Sequence, residues 1–539
     1  MPRLTHLFSP VKIGSLELRN RLVMSPMETC YASRDGVPSP RTIAYYEARA
    51  RGGVGLITLG ACTVDVRHRE VPNSIDFDRD EVLDAHRELT GRVHAHGARI
   101  QPQLVHPGPD GLAPYLSGIP NVGPSVIPSY LTGAPCRALE ADELPAIIAR
   151  YGEAAVRVKE AGYDGIELHA AHGYMLLGSF LTPVRNRRDD AYAGNSEDGR
   201  IRLLLEVLRA IKGAAGEEFP VTLRISGYER VPGGRSLDDS QRIAPRLAEA
   251  GVDAFHVSGG VIDRLTTQMV TGSRYGAAHN LAAAEAIKQV VDVPVMTVGR
   301  IHDPELAERI LAEGRADLVA MGRPLLADAE LPDKARAGRL GELRRCISCQ
   351  SCIDSMETGR MGCAVNAFTG REQELDVAPA QHPKRVVVIG GGPAGMEAAR
   401  VAAQRGHRVA LYEGQARLGG ALRLAAAVHA DNEPFLDYLL AEVERLDVEV
   451  HLGSTLTPEA IVALGADAVI VATGGRVVTP QLPGSGLPHV LTGPLLRELL
   501  AGRVPAEAEG KLRAWQRLGV ELLGGPLRWL TDPRWLRRL

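Results

Sequence analysis

Between residues 21 and 325 the sequence repeats one pattern, in which a short apolar run ends in Gly, His or Arg and a helical stretch follows. The eight runs are Arg21–Met27, Val54–Ala61, Arg99–His106, Gly165–His172, Val221–Ser226, Ala254–Gly260, Pro294–Arg300 and Leu318–Arg323. Buried parallel strands are apolar throughout rather than alternating. The pattern therefore predicts an α/β fold with a closed (β/α)8 TIM barrel, and an open doubly wound sheet is the alternative.

Polar side chains stand at the carboxyl ends of nearly all these runs. They are His106, His169, His172, Arg224, Ser258, Arg300 and Arg323. Barrel enzymes build their active sites at this end of the strands. A polar group at the end of nearly every strand is hard to explain by packing, so we expect a catalytic site there.

Length and charge limit the remaining choices. A chain of 539 residues is expected to hold two or three domains, and a net charge of -3 argues against nucleic acid or an anionic membrane surface as a partner. The first residues lack the basic and apolar runs of a signal peptide, and no run of about 18 apolar residues occurs. We therefore expect a cytoplasmic protein.

Four of the seven cysteines crowd into one short segment. Cys346, Cys349 and Cys352 stand three residues apart, and Cys363 follows. Three thiolates at this spacing with a fourth further on are typical of a 4Fe-4S cluster. Zinc, which more often takes two separated Cys-x-x-Cys pairs, and free thiols are the alternatives.

A second α/β unit begins near residue 384. The strand Val386–Ile389 leads into Gly390, Gly392 and Gly395, and Glu413 follows the next strand. This is the dinucleotide fingerprint in its proper context, in which the glycines admit a pyrophosphate and the acid bonds a ribose hydroxyl. The acid would repel a 2′-phosphate, so the motif predicts FAD or NAD. We expect a barrel over 1–340, a cluster segment over 341–370 and a partial Rossmann-like FAD/NAD(P)-binding domain over 384–539.

These motifs together resemble a known family, the old yellow enzymes. The segment Ser25-Pro26-Met27 and the segment His169-Ala-Ala-His172-Gly-Tyr174 carry the resemblance in the barrel. With the cysteine motif and the dinucleotide fingerprint, the chain resembles the subgroup of 2,4-dienoyl-CoA reductase and trimethylamine dehydrogenase. The resemblance covers nearly the whole chain.

The resemblance implies that FMN binds in the barrel. The implied FMN-binding residues are Pro26, Met27, Gly60, Ala61, Gln103, Arg224, Gly299, Arg300, Gly322 and Arg323. It also implies that His169 and His172 polarise a substrate carbonyl group and that Tyr174 delivers a proton. An enzyme of this kind passes electrons from NAD(P)H through FAD and the 4Fe-4S cluster to FMN, and it reduces an activated C=C bond in an enoate, enone or dienoyl-CoA.

Several positions depart from the subgroup. No tryptophan follows the sixth run, where dienoyl-CoA reductases have a Trp-His pair, and residues 1–514 contain none. Glu28 replaces the cysteine that binds FMN covalently in trimethylamine dehydrogenase. A second glycine fingerprint for NAD(P)H is absent, so we expect an FAD domain without its last portion, in a fragment or a naturally shortened form.

Two other hypotheses remain open at this point. In one, the enzyme oxidises a small substrate at FMN and passes electrons to a carrier protein. In the other, the chain is a non-catalytic electron-transfer subunit. The intact pair of histidines and Tyr174 argues against the second. A homo-oligomer is compatible with all three hypotheses.

Overall fold

A computed structural model of the chain describes residues 4–520, apart from residues 358, 376, 476, 477, 479, 481, 488, 501, 502 and 509. The backbone divides into two units, Met1–Asp376 and Val377–Leu539. The last 19 residues of the domain predicted over 384–539, including Trp529 and Trp535, lie outside the described residues.

Eight parallel strands form a closed barrel in the first unit. They are β1 (Leu22–Met24), β2 (Leu56–Thr63), β3 (Arg99–Val105), β4 (Ile166–Ala170), β5 (Val221–Ser226), β6 (Ala254–Ser258), β7 (Val295–Val298) and β8 (Leu318–Met321). Each strand pairs with the next along the chain, and β1 pairs with both β2 and β8. Every run predicted as a strand contains one, and the predicted TIM barrel is confirmed.

A helix connects each strand to the next. The seven helices are α1 (Pro40–Arg51), α2 (Leu83–His94), α3 (Leu144–Glu160), α4 (Glu197–Ala215), α5 (Leu237–Glu249), α6 (Leu281–Lys288) and α7 (Pro304–Ala312). Several begin at a side-chain cap: Ser39, Ser196 and Ser236 each accept a hydrogen bond from the backbone N–H three residues on. Each of these caps ends a loop that starts at the carboxyl end of a strand. These loops therefore lie at the carboxyl end of the barrel.

The amino-terminal end of the barrel is closed by a hairpin. Its strands, Val11–Ile13 and Leu16–Leu18, pair antiparallel. Ile13, Leu16 and Leu18 are buried against apolar residues of the barrel strands, including Leu318. This apolar plug excludes water from one end of the barrel, so the polar interior is open only toward the other end.

Shorter elements complete the first unit. Ala113–Leu116 and Met175–Leu181 are helices in the loops after β3 and β4. The chain continues after β8 through α8 (Arg323–Ala327), α9 (Leu331–Arg336) and α10 (Ser351–Glu357), and α10 contains one of the clustered cysteines.

The second unit contains a four-stranded parallel sheet. Its strands are β9 (Arg385–Ile389), β10 (Arg408–Glu413), β11 (Glu449–Leu452) and β12 (Ala468–Val471), in the spatial order β11-β10-β9-β12. Its helices are α11 (Pro393–Gln404), α12 (Ala421–Val428), α13 (Glu433–Arg445), α14 (Pro458–Ala463) and α15 (Gly493–Leu500). The connection β9-α11-β10 is the unit predicted from the glycine fingerprint, and the Rossmann-like fold is confirmed.

Within the part of the chain that the structure describes, no helix combines the length and the hydropathy that crossing a bilayer requires.

Candidate active site at the carboxyl end of the barrel

Three aromatic side chains from β4 and the turn after it lie together at the open end of the barrel. The ring of Tyr174 is 5.1 Å from that of His169 and 6.1 Å from that of His172, centroid to centroid. His172 adopts a left-handed backbone conformation with φ 62°, which turns the chain back over the barrel mouth. The structure thus brings together the three residues predicted as catalytic.

Hydroxyl groups of two neighbouring strands hold His172. Ser226 at the end of β5 accepts a hydrogen bond from its backbone N–H at 2.8 Å, and Oγ of Ser258 at the end of β6 lies 2.8 Å from its Nε2. The Nδ1 atoms of His169 and His172 are buried without a partner in the described structure. Unpaired buried nitrogens are costly, so they mark positions where a ligand group is expected.

Burial sets the protonation of these groups. It lowers the pKa of His169 to about 3, and the positive charge of Arg224 acts in the same direction. Burial likewise lowers the pKa of His172 well below its usual value and raises the pKa of Tyr174 well above its usual value. At neutral pH the site therefore holds two neutral imidazoles and a protonated phenol.

The segment after β1 packs closely against two of the predicted flavin-binding glycines. A Cβ atom at Gly60 would collide with the backbone oxygen of Met27, and one at Gly322 would lie 3.0 Å from its Sδ. Pro26 directly precedes Met27. Ala61 is buried in a small cluster with Tyr174, so these residues face the same end of the barrel as His169, His172 and Tyr174.

A buried polar chain crosses the barrel interior next to this site. Nε2 of Gln103 donates to Oε1 of Glu167 at 2.7 Å, and Oε2 of Glu167 lies 2.7 Å from Nδ1 of His256. Arg224 stands opposite both His169 and His256 in the strand register and donates to Oγ of Ser25 at 3.1 Å. Gln103 and Arg224 were predicted from the sequence, whereas Glu167 and His256 were not.

Positive charge gathers at the ends of β7 and β8. Burial lowers the pKa of His279 to about 4, and the charges of Arg230, Arg323 and Arg300 act in the same direction, so all three guanidinium groups are close to it. Gly299 has φ 130°, and a Cβ atom there would lie 2.8 Å from the ring of His279. This group of cations fits a phosphate, and Arg230 and His279 extend the set predicted from the sequence.

The four clustered cysteines lie in the first unit, after the barrel. None of these four cysteines is paired in a disulfide. Ser348 and Gln350, which lie between the first three cysteines, have left-handed backbone conformations with φ values of 52° and 65°, so the loop turns at both positions. Burial raises the pKa of Cys346, and Cys363 and Cys352 act in the same direction, so these three cysteines lie near one another. Oγ of Ser348 accepts a hydrogen bond of 3.2 Å from Nε of Arg300, which fixes the loop to the barrel end where the cations gather.

The glycine fingerprint of the second unit has the expected geometry. Gly390 has φ 108°, and Cβ atoms at Gly390 and Gly395 would collide with the backbone oxygens of Ala472 and Gly390 respectively. Around Gly392 a Cβ atom would meet open space, which leaves the helix amino terminus accessible. The Glu413 carboxylate accepts from the backbone N–H of Gly391 at 2.6 Å, so the acid lies against the glycine loop.

A cavity of about 440 Å³ opens at the barrel mouth. Tyr130 and the segment 262–267 line it, and the ring of Tyr130 lies 5.7 Å from that of Tyr174. Asp110 connects the cavity wall to the segment next to Tyr174, because its carboxylate accepts from the backbone N–H groups of Tyr130 and Met175, each at 3.1 Å. Its charge is balanced by Arg185, whose Nη1 donates to it at 2.6 Å.

Sequence reasoning missed Glu167, His256, Asp110, Tyr130, Arg230 and His279. Glu167 left a usable signal, since an acid inside an otherwise apolar strand needs a buried partner. His256 lies on β6, and its contact with Glu167 appears only when the barrel closes. The others lie in loops whose sequences follow no motif, and their roles depend on which strands the loops meet.

Comparison with known proteins supports the reading of both units. Residues 6–342 match the NADH:flavin oxidoreductase / NADH oxidase family, and residues 384–499 match the pyridine nucleotide-disulphide oxidoreductase family. An NADH oxidase of Thermoanaerobacter brockii is 46% identical over 494 residues, which are 90% of this chain and 75% of that protein. A cinnamate reductase of Clostridium sporogenes is 36% identical over 89% of this chain and 75% of its own length.

Solved structures agree. A 2-naphthoyl-CoA reductase in complex with 2-naphthoyl-CoA superposes with a TM-score of 0.86 at 28% identity, covering 95% of this chain and 78% of that one. The family match extends over more than half of the chain, and the geometry of the barrel mouth agrees with it. The chain therefore belongs to the NADH:flavin oxidoreductase / NADH oxidase family and is a flavin-dependent oxidoreductase.

Proposed function

We propose that this chain reduces a C=C bond conjugated to a carbonyl group, with NADH as the source of electrons. The observation that carries the proposal is the group of His169, His172 and Tyr174 at the barrel mouth, beside Arg224. The names cinnamate reductase and 2-naphthoyl-CoA reductase support the same reaction class.

The two imidazoles polarise the substrate. Because burial keeps His169 and His172 neutral, each carries one N–H that can donate to a carbonyl oxygen. Their Nδ1 atoms have no partner among the described residues and lie in the buried end of the site. Donors aimed at a developing enolate oxygen lower the barrier to attack at the β-carbon.

Tyr174 supplies the proton that completes the reduction. Its pKa, raised by burial, keeps the hydroxyl protonated across the physiological range. The α-carbon of the polarised substrate becomes basic as the oxygen is stabilised, so a phenol within reach can protonate it. The T-shaped contact with Tyr130 limits the ring positions that Tyr174 can adopt.

The barrel end suits FMN. Gln103 and Arg224 offer hydrogen bonds and positive charge on the polar side, and Nε of Arg224 is buried without a partner in the described structure. Arg230, Arg300 and Arg323 would hold the phosphate. When bound, FMN supplies the electron pair that the substrate accepts.

The four cysteines suit a 4Fe-4S cluster. Burial raises the pKa of Cys346 to about 12 and of Cys352 to about 11, and the nearby Cys363 acts in the same direction, so these thiols need a metal to become thiolates. A mononuclear zinc site would bring the sulfurs to about 3.8 Å from one another. Among the described residues, the group with ligand atoms within 4.8 Å of one another is Asp65, His68 and His106 rather than cysteines. The sequence spacing of three cysteines at three-residue intervals, with a fourth further on, favours the 4Fe-4S cluster.

The second unit suits an ADP-containing cofactor such as FAD or NAD. The accessible helix end at Gly392 would take a pyrophosphate, and Glu413 would bond a ribose hydroxyl. A carboxylate at this point repels a 2′-phosphate, so the site favours FAD or NAD over NADP.

An anaerobic titration tests the proposal. The purified chain is analysed for FMN, FAD, iron and sulfide, and NADH is then added while the flavin absorbance is followed. We expect FMN, four irons, bleaching by NADH and recovery of the flavin absorbance on addition of cinnamate or a simple enone.

Other outcomes would each contradict a specific part. Absence of flavin would overturn the whole assignment. Bleaching by NADH without recovery by any conjugated carbonyl compound would exclude the C=C reductase. Bleaching by a secondary amine but not by NADH would instead favour oxidation of a substrate with transfer of electrons to a carrier protein.

A further inference from the structure

Glu167 is a fully buried acid within β4, and no catalytic step described above uses it. Its side chain and that of His256 both have a relative exposure of 0%. A carboxylate in such a place is stable only with hydrogen bonds and a compensating charge. The contacts of Glu167 therefore identify what the charge acts upon.

Glu167 fixes the orientation of Gln103. The amide of Gln103 donates a hydrogen bond to Oε1 of Glu167 at 2.7 Å. The amide oxygen of Gln103 is therefore left as the outward-facing acceptor. Without the carboxylate, the amide could rotate by half a turn and present a donor instead. An acceptor at this position suits the imide N–H of a flavin, and Glu167 thereby selects which edge of the cofactor Gln103 can bind.

Glu167 also balances the charge of Arg224. Burial by itself raises the pKa of Glu167, but the hydrogen bonds with His256 and Gln103 and the positive charge of Arg224 hold the pKa below the usual value, so the acid is ionised. Burial lowers the pKa of His256, and we take that ring as neutral. Arg224 is then the cation that offsets Glu167.

The charge pair of Glu167 and Arg224 lies next to the proposed flavin site. Nη1 of Arg224 donates to Ser25, which directly precedes Pro26 and Met27. Removing the negative charge of Glu167 would leave Arg224 unbalanced in a region of low dielectric constant. The site would become more positive, and every anionic form bound there would gain stability.

We propose that Glu167 is a positioning residue, an inference that rests on the proposed function. Glu167 orients Gln103 toward the flavin and offsets the charge of Arg224. It thereby limits the affinity of the site for anions and lowers the reduction potential of the flavin. The experiment uses the full chain with bound FMN. Sulfite, a small anion that bleaches protein-bound flavins, is titrated, and the flavin potential is measured against a reference dye.

Two variants separate the charge from the orientation. Glu167→Gln removes the charge but keeps the size, so we expect sulfite to bind roughly tenfold tighter and the potential to rise. Glu167→Asp keeps the charge but is too short to hold Gln103, so we expect FMN to bind roughly tenfold more weakly, with sulfite affinity within about twofold of the wild type. Glu229→Gln, which removes another buried acid of the barrel unit, is the matched control and leaves both quantities unchanged.

The proposal is overturned if Glu167→Gln holds FMN and its sulfite affinity and flavin potential equal those of the wild type. If Glu167→Gln does not fold, an unchanged FMN affinity in Glu167→Asp overturns it instead. These readouts do not involve an enone, so failure of the C=C reductase assignment would appear separately, as a wild-type chain that binds flavin but reduces no conjugated carbonyl compound.

Discussion

Nε2 of His172 lies 2.8 Å from the hydroxyl oxygen of Ser258, although the two residues are 86 positions apart in the sequence. The contact joins the turn after β4 to the carboxyl end of β6. It commits one nitrogen of the ring to the protein and leaves Nδ1 for a substrate. A serine on a different strand thus orients the imidazole that we propose to be catalytic.

Ser258→Ala removes that contact, and we expect kcat/KM for the enone to fall about tenfold, because the imidazole is no longer held at one angle. Reduction of the flavin by NADH does not involve His172 and should change by less than about twofold. Ser15→Ala, whose hydroxyl donates to Glu218 at the opposite end of the barrel, is the matched control and keeps full activity. Equal losses in both half-reactions would show that Ser258 acts on the flavin instead.

Tyr174→Phe removes the proposed proton donor and keeps the ring. We expect kcat for enone reduction to fall by about 10²–10³, the usual size of a general-acid contribution, with FMN content unchanged. Stopped-flow measurement of the two half-reactions locates the loss. Tyr130→Phe preserves the T-shaped contact and donates no proton, so its kcat should stay within about threefold. Full turnover in Tyr174→Phe would show that another group donates the proton.

Cys346→Ser removes one of the four clustered thiols. We expect the purified variant to lose its iron and its broad absorbance near 400 nm, because three thiolates hold a 4Fe-4S cluster poorly, while the barrel retains FMN. Cys136→Ser changes a buried cysteine outside the cluster and should keep the wild-type iron content. Retention of all iron in Cys346→Ser, or stoichiometric zinc in the wild type, would contradict the cluster assignment.

Glu70 gives the folded chain a pH dependence of known sign. Burial raises its pKa from 4.5 to about 8, so the folded form holds a proton that the unfolded form releases. The stability of the wild type relative to Glu70→Gln should therefore be highest below pH 4.5 and fall by about 1.4 kcal/mol for each pH unit between 4.5 and 8.

Urea unfolding at pH 5, 6.5 and 8 measures this difference. Glu88→Gln, at an exposed position of α2, provides the control, and its difference from the wild type should stay constant within about 0.5 kcal/mol. A difference for Glu70→Gln that is the same at all three pH values would show that Glu70 is ionised in the folded protein.

Much of the fold was readable from the sequence, because it depends on local pattern. The eight apolar runs became eight strands, since a strand buried on both faces must be apolar whatever it packs against. The glycines at 390 and 395 were readable for a similar reason, as a side chain at either would strike the backbone. The two histidines and Tyr174 form one short segment that resembles a motif of the old yellow enzymes, so their roles could be predicted from the sequence.

Contacts between strands were decided by the tertiary structure alone. The sequence around Glu167 does not predict Gln103 or His256 as its partners, because those residues lie on β3 and β6 and contact Glu167 only when the barrel closes. Arg230 and His279 likewise join Arg300 and Arg323 only after the segments that follow four different strands, β5 to β8, meet. Local sequence determined which segments form strands and which residue types stand at their ends. Closure of the barrel decided which charges face one another, because a buried charge is stable only beside groups that distant strands supply.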